Sequence, residues 1–195
     1  MELYRIKLTF VEPLLGTMAM NKDITSEFIA SKAPTLEEAA EEVATVEEMI
    51  EKGTTGFHRV GGKPILYDYV LKGFMKDACG MLRRVQGSHS SKVKSYKKNI
   101  DGLVFVRPRQ IPITLAGAMD ILERPLRAET AKGERVALAR SETVPGGSST
   151  EFPIKVLDGI SEGLLREWLE YGEDRGLGQW RNAGYGAFTF EMEKA

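Results

Sequence analysis

Gly176-Leu177-Gly178-Gln179-Trp180-Arg181-Asn182-Ala183-Gly184-Tyr185-Gly186 is the stretch on which the reading of this chain turns. Two glycine-apolar-glycine clips flank a short tip that carries Trp180 and Arg181. Glycine admits positive φ and lets another backbone come close. Four glycines at this density interrupt a regular helix or strand, so the segment reads as a loop. Such a loop exposes backbone N–H groups that cradle an anion. Its indole suits stacking, and its guanidinium suits a phosphate or a base. Gly176, Gly178, Arg181, Gly184 and Gly186 are therefore candidate nucleic-acid contacts. The alternative is a tight turn between helix and strand, with Trp180 folded into the core.

The flanks fit a loop between the last helix and the last strand. Upstream, Ile160, Leu164, Leu165, Trp168, Leu169 and Gly172 recur at helical spacing behind Ser161 as N-cap. Downstream, Phe188, Phe190 and Met192 alternate as a strand. Phe152, Ile154 and Val156 predict another strand, in which Pro153 implies an edge position or a bulge. Pro145-Gly146-Gly147 marks a turn. Apolar runs around 119–126, with Arg124 and Arg127 expected on the outside, and around 136–139 add strands, as do Leu103–Val106 with Ile111 and Ile113. Val70, Leu71, Phe74, Met75, Ala78 and Leu82 predict a helix. Tyr4, Ile6, Leu8 and Phe10 predict the first strand. The order strand, helix, strands, helix, strand is that of a ferredoxin-like α+β domain. Its antiparallel sheet is covered by helices on one face. In RNA-recognition domains of this topology the open face or its edge loops hold single-stranded RNA, although topology by itself does not give function.

Charge supplies a second clue. The 195 residues carry a net charge of −1, so any argument for a polyanion rests on distribution. Thr35, with Glu38, opens a predicted helix to Gly53 whose outer face holds Glu37, Glu41, Glu42, Glu47, Glu48 and Glu51. No histidine or aspartate is spaced there to complete a metal or acid–base set, so it reads as a solvated face. Between Lys72 and Arg109, by contrast, ten basic residues stand against two acidic ones, a local charge of +8. Lys92, Lys94, Lys97 and Lys98 surround Tyr96 in what reads as a mobile basic loop over about 86–99. Together with Lys72 they would attract a phosphate backbone. A solubilising loop paired with the acidic helix is the competing account.

Cys79 stands alone as the cysteine of the chain, which excludes an internal disulfide and reads as a buried, inert thiol in a reducing compartment. The N-terminus lacks the apolar core of a signal peptide, and no run is long enough to span a membrane. The expectation is a single domain over 1–195, cytoplasmic, with no metal and no cofactor.

On these residues the chain resembles the RAMP superfamily of CRISPR-associated proteins. The Gly176–Gly186 loop is similar to that superfamily's glycine-rich loop between last helix and last strand. Pro64-Ile65-Leu66-Tyr67, followed by Leu71-Lys72-Gly73-Phe74-Met75-Lys76, resembles a segment of type III backbone subunits that leads into a helix through a leucine-lysine-glycine step. Arg140-Ser141-Glu142-Thr143-Val144-Pro145-Gly146-Gly147 with Phe152-Pro153-Ile154 resembles their turn and strand ahead of the last helix. The chain also resembles small proteins of phages and prophages of Gram-positive bacteria, from which no activity follows.

The resemblance implies a RAMP fold carrying an inserted hairpin and, over about 35–53, an inserted acidic helix. It also implies RNA as partner and a bacterial host cell. There are departures. Asp68-Tyr69-Val70 stands where the family has a glycine-serine-serine run. Asp23 is the one aspartate in the region that holds the family's target-cleaving aspartate, in surroundings that do not match. His58 is the counterpart candidate for a processing nuclease, whose metal-independent cleavage needs a base for the 2′-hydroxyl. The leading expectation is RNA binding without catalysis. The alternatives are a module docking on a host or phage complex or on itself, and an endoribonuclease using His58 or Asp23.

Overall fold

The computed structural model describes residues 1–20, 54–130 and 133–195. The predicted acidic helix and Asp23 lie outside them. Along the chain the described elements begin with β1 (Glu2–Phe10), β2 (Leu14–Leu15), β3 (Met18–Ala19), β4 (Thr54–Gly56), β5 (His58–Val60) and β6 (Lys63–Tyr67). Then come α1 (Asp68–Leu82), a 3₁₀ turn (Ser90–Lys92), α2 (Tyr96–Leu103), β7 (Val104–Val106) and β8 (Gln110–Thr114). The rest comprises β9 (Asp120–Thr130), β10 (Gly133–Val144), β11 (Ser149–Val156), α3 (Glu162–Arg175), a second 3₁₀ turn (Arg181–Ala183) and β12 (Phe188–Lys194).

β1 sets the frame because strict alternation sends one set of side chains to each face of a sheet. Tyr4, Ile6, Leu8 and Phe10 are fully buried. β11 and β12 flank β1, both antiparallel, so that Ile6 pairs with Phe152 on one side and Met192 on the other. The sheet runs β12-β1-β11-β8-β6-β5, with β7 also on β11. Taken as one interrupted strand, β7 and β8 complete the fourth-first-third-second order of a ferredoxin-like unit. α1 and α3 are its crossovers. Leu71, Phe74, Met75 and Ala78 of α1 and Leu164, Leu165, Trp168 and Leu169 of α3 pack onto the buried sheet face. Burying each large apolar side chain contributes about 1.5–3 kcal/mol. The fold is thus the expected antiparallel α+β arrangement with helices on one face. A smaller sheet, β2-β10-β4-β3, carries the long β9–β10 hairpin.

Two cations on the outer face of the main sheet are paired with acids, whereas Lys155 of β11 is exposed with no ion pair among the described residues. Arg5 meets Glu151 at 3.6 Å and Lys7 meets Glu191 at 2.9 Å.

Two expectations change. Pro153 lies in a central strand, not at an edge or a bulge. Its carbonyl accepts from Arg107 N–H at 3.1 Å, so its nitrogen faces the interruption between β7 and β8, where no acceptor waits for a donor. The segment about 86–99 is not one open loop either. It contains a 3₁₀ turn and the start of α2. The reason is burial: Ser90 and Ile100 are both fully enclosed.

Candidate nucleic-acid interface

α3 ends at Arg175, and Leu177 then inserts as a core residue with 1% of its surface exposed. Its N–H donates to the Gly186 carbonyl at 2.9 Å, and Gly186 N–H donates to the Pro13 carbonyl at 2.9 Å. The two glycine clips therefore face each other and the connection after β1. A Cβ at Gly176 would sit 2.5 Å from the Tyr185 carbonyl oxygen, and one at Gly178 2.7 Å from that of Leu15. At Gly186 it would fall on the Leu177 carbonyl. These three positions bring backbones together, whereas Gly184 stands in open space.

The tip is different. Trp180 takes a left-handed conformation (φ 57°) and leads into the 3₁₀ turn. The backbone N–H groups from Gly178 to Asn182 find no acceptor among the described residues. Arg181 Nη1 pairs with Asp77 Oδ2 at 2.7 Å, and Arg175 Nε reaches the same oxygen at 3.4 Å. Arg175 also donates to Asn182 Oδ1. One carboxylate on α1 thus serves two guanidiniums. Arg175, Arg181 and Asn182, with Gly178, Trp180 and Ala183, line an open cleft of about 590 Å³.

Trp180 is half-buried, neither free nor in the core; the core indole is Trp168. Trp180 packs against the guanidinium of Arg124, with the Tyr185 ring centroid 6.4 Å away. Arg124 was expected outside but is only 9% exposed, and its Nη1 has no hydrogen-bond partner among the described residues. Burial lowers its pKa to about 10, which still leaves it charged at neutral pH. No spacing in the sequence ties position 124 to position 180, so this neighbour could not be read from it.

The basic segment is pinned from below. The Glu167 carboxylate accepts from His89 N–H at 2.7 Å, Ser90 N–H at 2.9 Å and Ser90 Oγ at 2.5 Å. Trp168 Nε1 donates to Ser90 Oγ at 3.0 Å. Above this anchor Lys92, Lys94, Lys97 and Lys98 are exposed, and none has a carboxylate partner among the described residues. Lys92 and Lys94 border a cleft of about 640 Å³ beside the start of α3. Lys97 and Lys98 cluster with Arg83, whose guanidinium lies 5.4 Å from the Tyr96 ring centroid. Lys72 lies over Phe105 at 5.3 Å and donates to the Asp101 carbonyl at 3.3 Å, and Lys76 binds the Asp101 carboxylate at 2.5 Å. α1 links the two candidate surfaces: Asp77 touches the glycine loop while Lys72 and Lys76 touch α2.

His58 belongs to the opposite end of the sheet, because β5 and β12 are its two terminal strands. Its ring stands edge-on to Tyr67 at 4.8 Å. Beside it Arg59 makes a two-pronged pair with Glu142, at 2.8 and 3.2 Å, and Glu142 also accepts Phe57 N–H at 3.0 Å. Among the described residues no three His, Cys, Asp or Glu side chains gather as a metal set, and no helix is long and apolar enough to cross a membrane.

No protein-family model and no curated protein matches the chain. Solved structures do. A chain of the type III-B Cmr-beta complex bound to cognate target RNA matches with a TM-score of 0.60 at 11% identity. The match covers 99% of this chain and 60% of that one, so this chain spans about three fifths of its length. A chain of a type IV-B CRISPR complex matches with a TM-score of 0.49 at 11% identity, over 98% and 90% of the two chains. The Cmr-beta likeness establishes a shared fold.

Proposed function

We propose that the protein binds RNA, using the basic surface of Lys72, Lys92, Lys94, Lys97 and Lys98 together with the cleft at the glycine loop, and that it does so without catalysis. The observation that carries this reading is the set of four exposed lysines without carboxylate partners among the described residues, over an anchored scaffold. An unpaired cationic surface of this kind releases counterions when it meets a polyanion. The glycine loop supports the reading through tip N–H groups that have no acceptor among the described residues and through its two guanidiniums. Gly184 leaves the tip accessible, while Gly176, Gly178 and Gly186 hold its base. The fold shared with a Cmr-beta chain, from a complex bound to target RNA, is in keeping with this. A host or phage ribonucleoprotein complex is the setting in which such a protein would act.

The test is anisotropy binding of a labelled single-stranded RNA across a salt series. Lys92→Ala with Lys97→Ala should weaken binding and reduce the slope of log K against log salt by about 1.4, since each phosphate contact on a single strand contributes about 0.7. Both residues are exposed, so the melting temperature should not move. An unchanged affinity and slope for single- and double-stranded RNA would refute the proposal.

A further inference from the structure

Away from the glycine loop and the lysines, at the other end of the sheet, β6 passes into α1. Tyr67 is the last residue of β6, and Tyr69 lies in the first turn of α1. Their rings stack with centroids 5.2 Å apart and planes 13° from parallel. His58 braces Tyr67 edge-on at 4.8 Å from the neighbouring strand. Arg109 reaches to within 6.0 Å of the Tyr67 ring centroid. It is held there because its carbonyl accepts Asp68 N–H at 3.0 Å.

This arrangement is open to solvent. Tyr69 is 55% exposed, although tyrosine is large and a core role would enclose it. Arg107 and Arg109 are exposed and have no acidic partner among the described residues. The backing ring is fixed from two sides, by His58 and by the strand. The outer ring is carried on a helix, so little rotamer freedom remains to be lost when something stacks on it. One turn further along α1, Lys72 lies over Phe105. Aromatic rings interleaved with unpaired cations form the arrangement that receives unpaired bases and the phosphates between them.

We propose that Tyr69, backed by Tyr67, is a stacking platform for an unpaired nucleobase of single-stranded RNA, with Arg109 on the adjoining phosphate. The proposal rests on RNA being the ligand but assigns base contact to a surface separate from the glycine loop. Stacking is tolerant of base identity, so the site would grip unpaired strand without reading sequence.

The experiment measures anisotropy binding of a labelled single-stranded RNA oligonucleotide and of a matched oligonucleotide whose residues lack bases. It uses wild type, Tyr69→Ala, Tyr69→Phe and Arg109→Ala. Tyr69→Ala should weaken binding of the base-bearing strand roughly 5- to 140-fold and leave the abasic strand unaffected. Tyr69→Phe should retain wild-type affinity, because the ring and not the hydroxyl does the stacking. Arg109→Ala should weaken both strands and lower the salt slope. The platform is overturned if Tyr69→Ala binds the base-bearing strand like wild type while Lys92→Ala with Lys97→Ala loses affinity; the RNA-binding reading then stands without it. It is also overturned if Tyr69→Ala loses the base-bearing and abasic strands equally, or if the variant melts well below wild type and Tyr69→Phe fails to restore binding. A wild type that binds no RNA, while Tyr69→Ala abolishes a protein contact, overturns both proposals.

Discussion

Gly186 and Gly184 stand two residues apart in the same loop, and the geometry separates their roles sharply enough to test. Both have positive φ, 73° and 88°. An alanine at either pays about 1–2 kcal/mol for the left-handed backbone and regains about 0.4–1 kcal/mol by restricting the unfolded chain. At Gly184 nothing else enters, since a Cβ meets no atom within 4 Å, and Gly184→Ala should cost about 1 kcal/mol. At Gly186 the new methyl lands on the Leu177 carbonyl, inside a pair of backbones tied by the Leu177 N–H to Gly186 carbonyl bond. Relieving that overlap adds about 1–3 kcal/mol. Gly186→Ala should then cost about 1.5–4 kcal/mol. At roughly 2–4 °C per kcal/mol for a chain of this size, that is a fall of about 3–16 °C in Tm. Differential scanning calorimetry of the two variants under one buffer decides the matter. If Gly186→Ala melts no lower than Gly184→Ala, the clips are not a backbone-packing device. If Gly186→Ala keeps its Tm but loses RNA binding, the glycine at the base of the loop serves the ligand directly.

Three further outcomes follow from single side chains. Glu167→Ala removes the carboxylate that accepts from three donors, His89 N–H, Ser90 N–H and Ser90 Oγ, and should cost about 1.5–3 kcal/mol; hydrogen exchange should accelerate over residues 88–93 but not in β1, and uniform acceleration would refute an anchoring role. Arg59→Ala, which removes the more exposed partner of its ion pair, should cost under about 1 kcal/mol, whereas Glu142→Ala also strands Phe57 N–H and should cost about 1–3 kcal/mol by denaturant titration; equal costs would overturn this ordering. Burial raises the Cys79 thiol pKa, against smaller opposing hydrogen bonds from Ser90 and Trp168, so the folded chain favours the protonated thiol. That contribution is full below the unfolded thiol value of about 8.5 and is lost as pH rises through the folded one. Stability should therefore fall more steeply above pH 8.5 in wild type than in Cys79→Ala, and Cys79 should react with a thiol reagent only on unfolding. Parallel pH curves would count against it.

The sequence carried the main sheet and both crossover helices because those elements obey simple periodicities. Tyr4 to Phe10 alternate, Leu71 to Ala78 fall on one helical stripe, and Ser161 caps α3 through its bond from Leu164 N–H at 3.2 Å. The parts that escaped depend on long-range contacts. α2 is eight residues rich in lysine, so its short stripe of Tyr96, Ile100 and Leu103 is easily lost among charges, and it is held by that stripe in the core and by packing on α1. Pro153 looked like an edge residue because a proline signals a missing donor; the place where a donor is unnecessary was made by a break in a different strand. Arg124 reads as an outward residue of an alternating hairpin until the hairpin meets the glycine loop. Tyr67 and Tyr69 had no evident pairing in sequence, since stacking across a strand-to-helix corner depends on the angle of that corner.

The distribution of paired and unpaired charge then narrows where a polyanion can lie. On the outer sheet face, where other domains of this topology hold RNA, the cations Arg5 and Lys7 have acids at 3.6 and 2.9 Å. Each such pair is close to neutral when viewed from beyond a Debye length of about 8–10 Å. Lys92, Lys94, Lys97 and Lys98 have no carboxylate partner among the described residues, and neither do Arg107 and Arg109. A proposed RNA track therefore runs over α2 and the start of α1 toward the Tyr69 corner, and the sheet face contributes little to it. Arg5→Ala with Lys7→Ala should accordingly leave the salt slope of RNA binding unchanged within about 0.3. A reduction near 1.4, the value for two lost phosphate contacts, would put the strand on the sheet face instead and remove the case for the helical side.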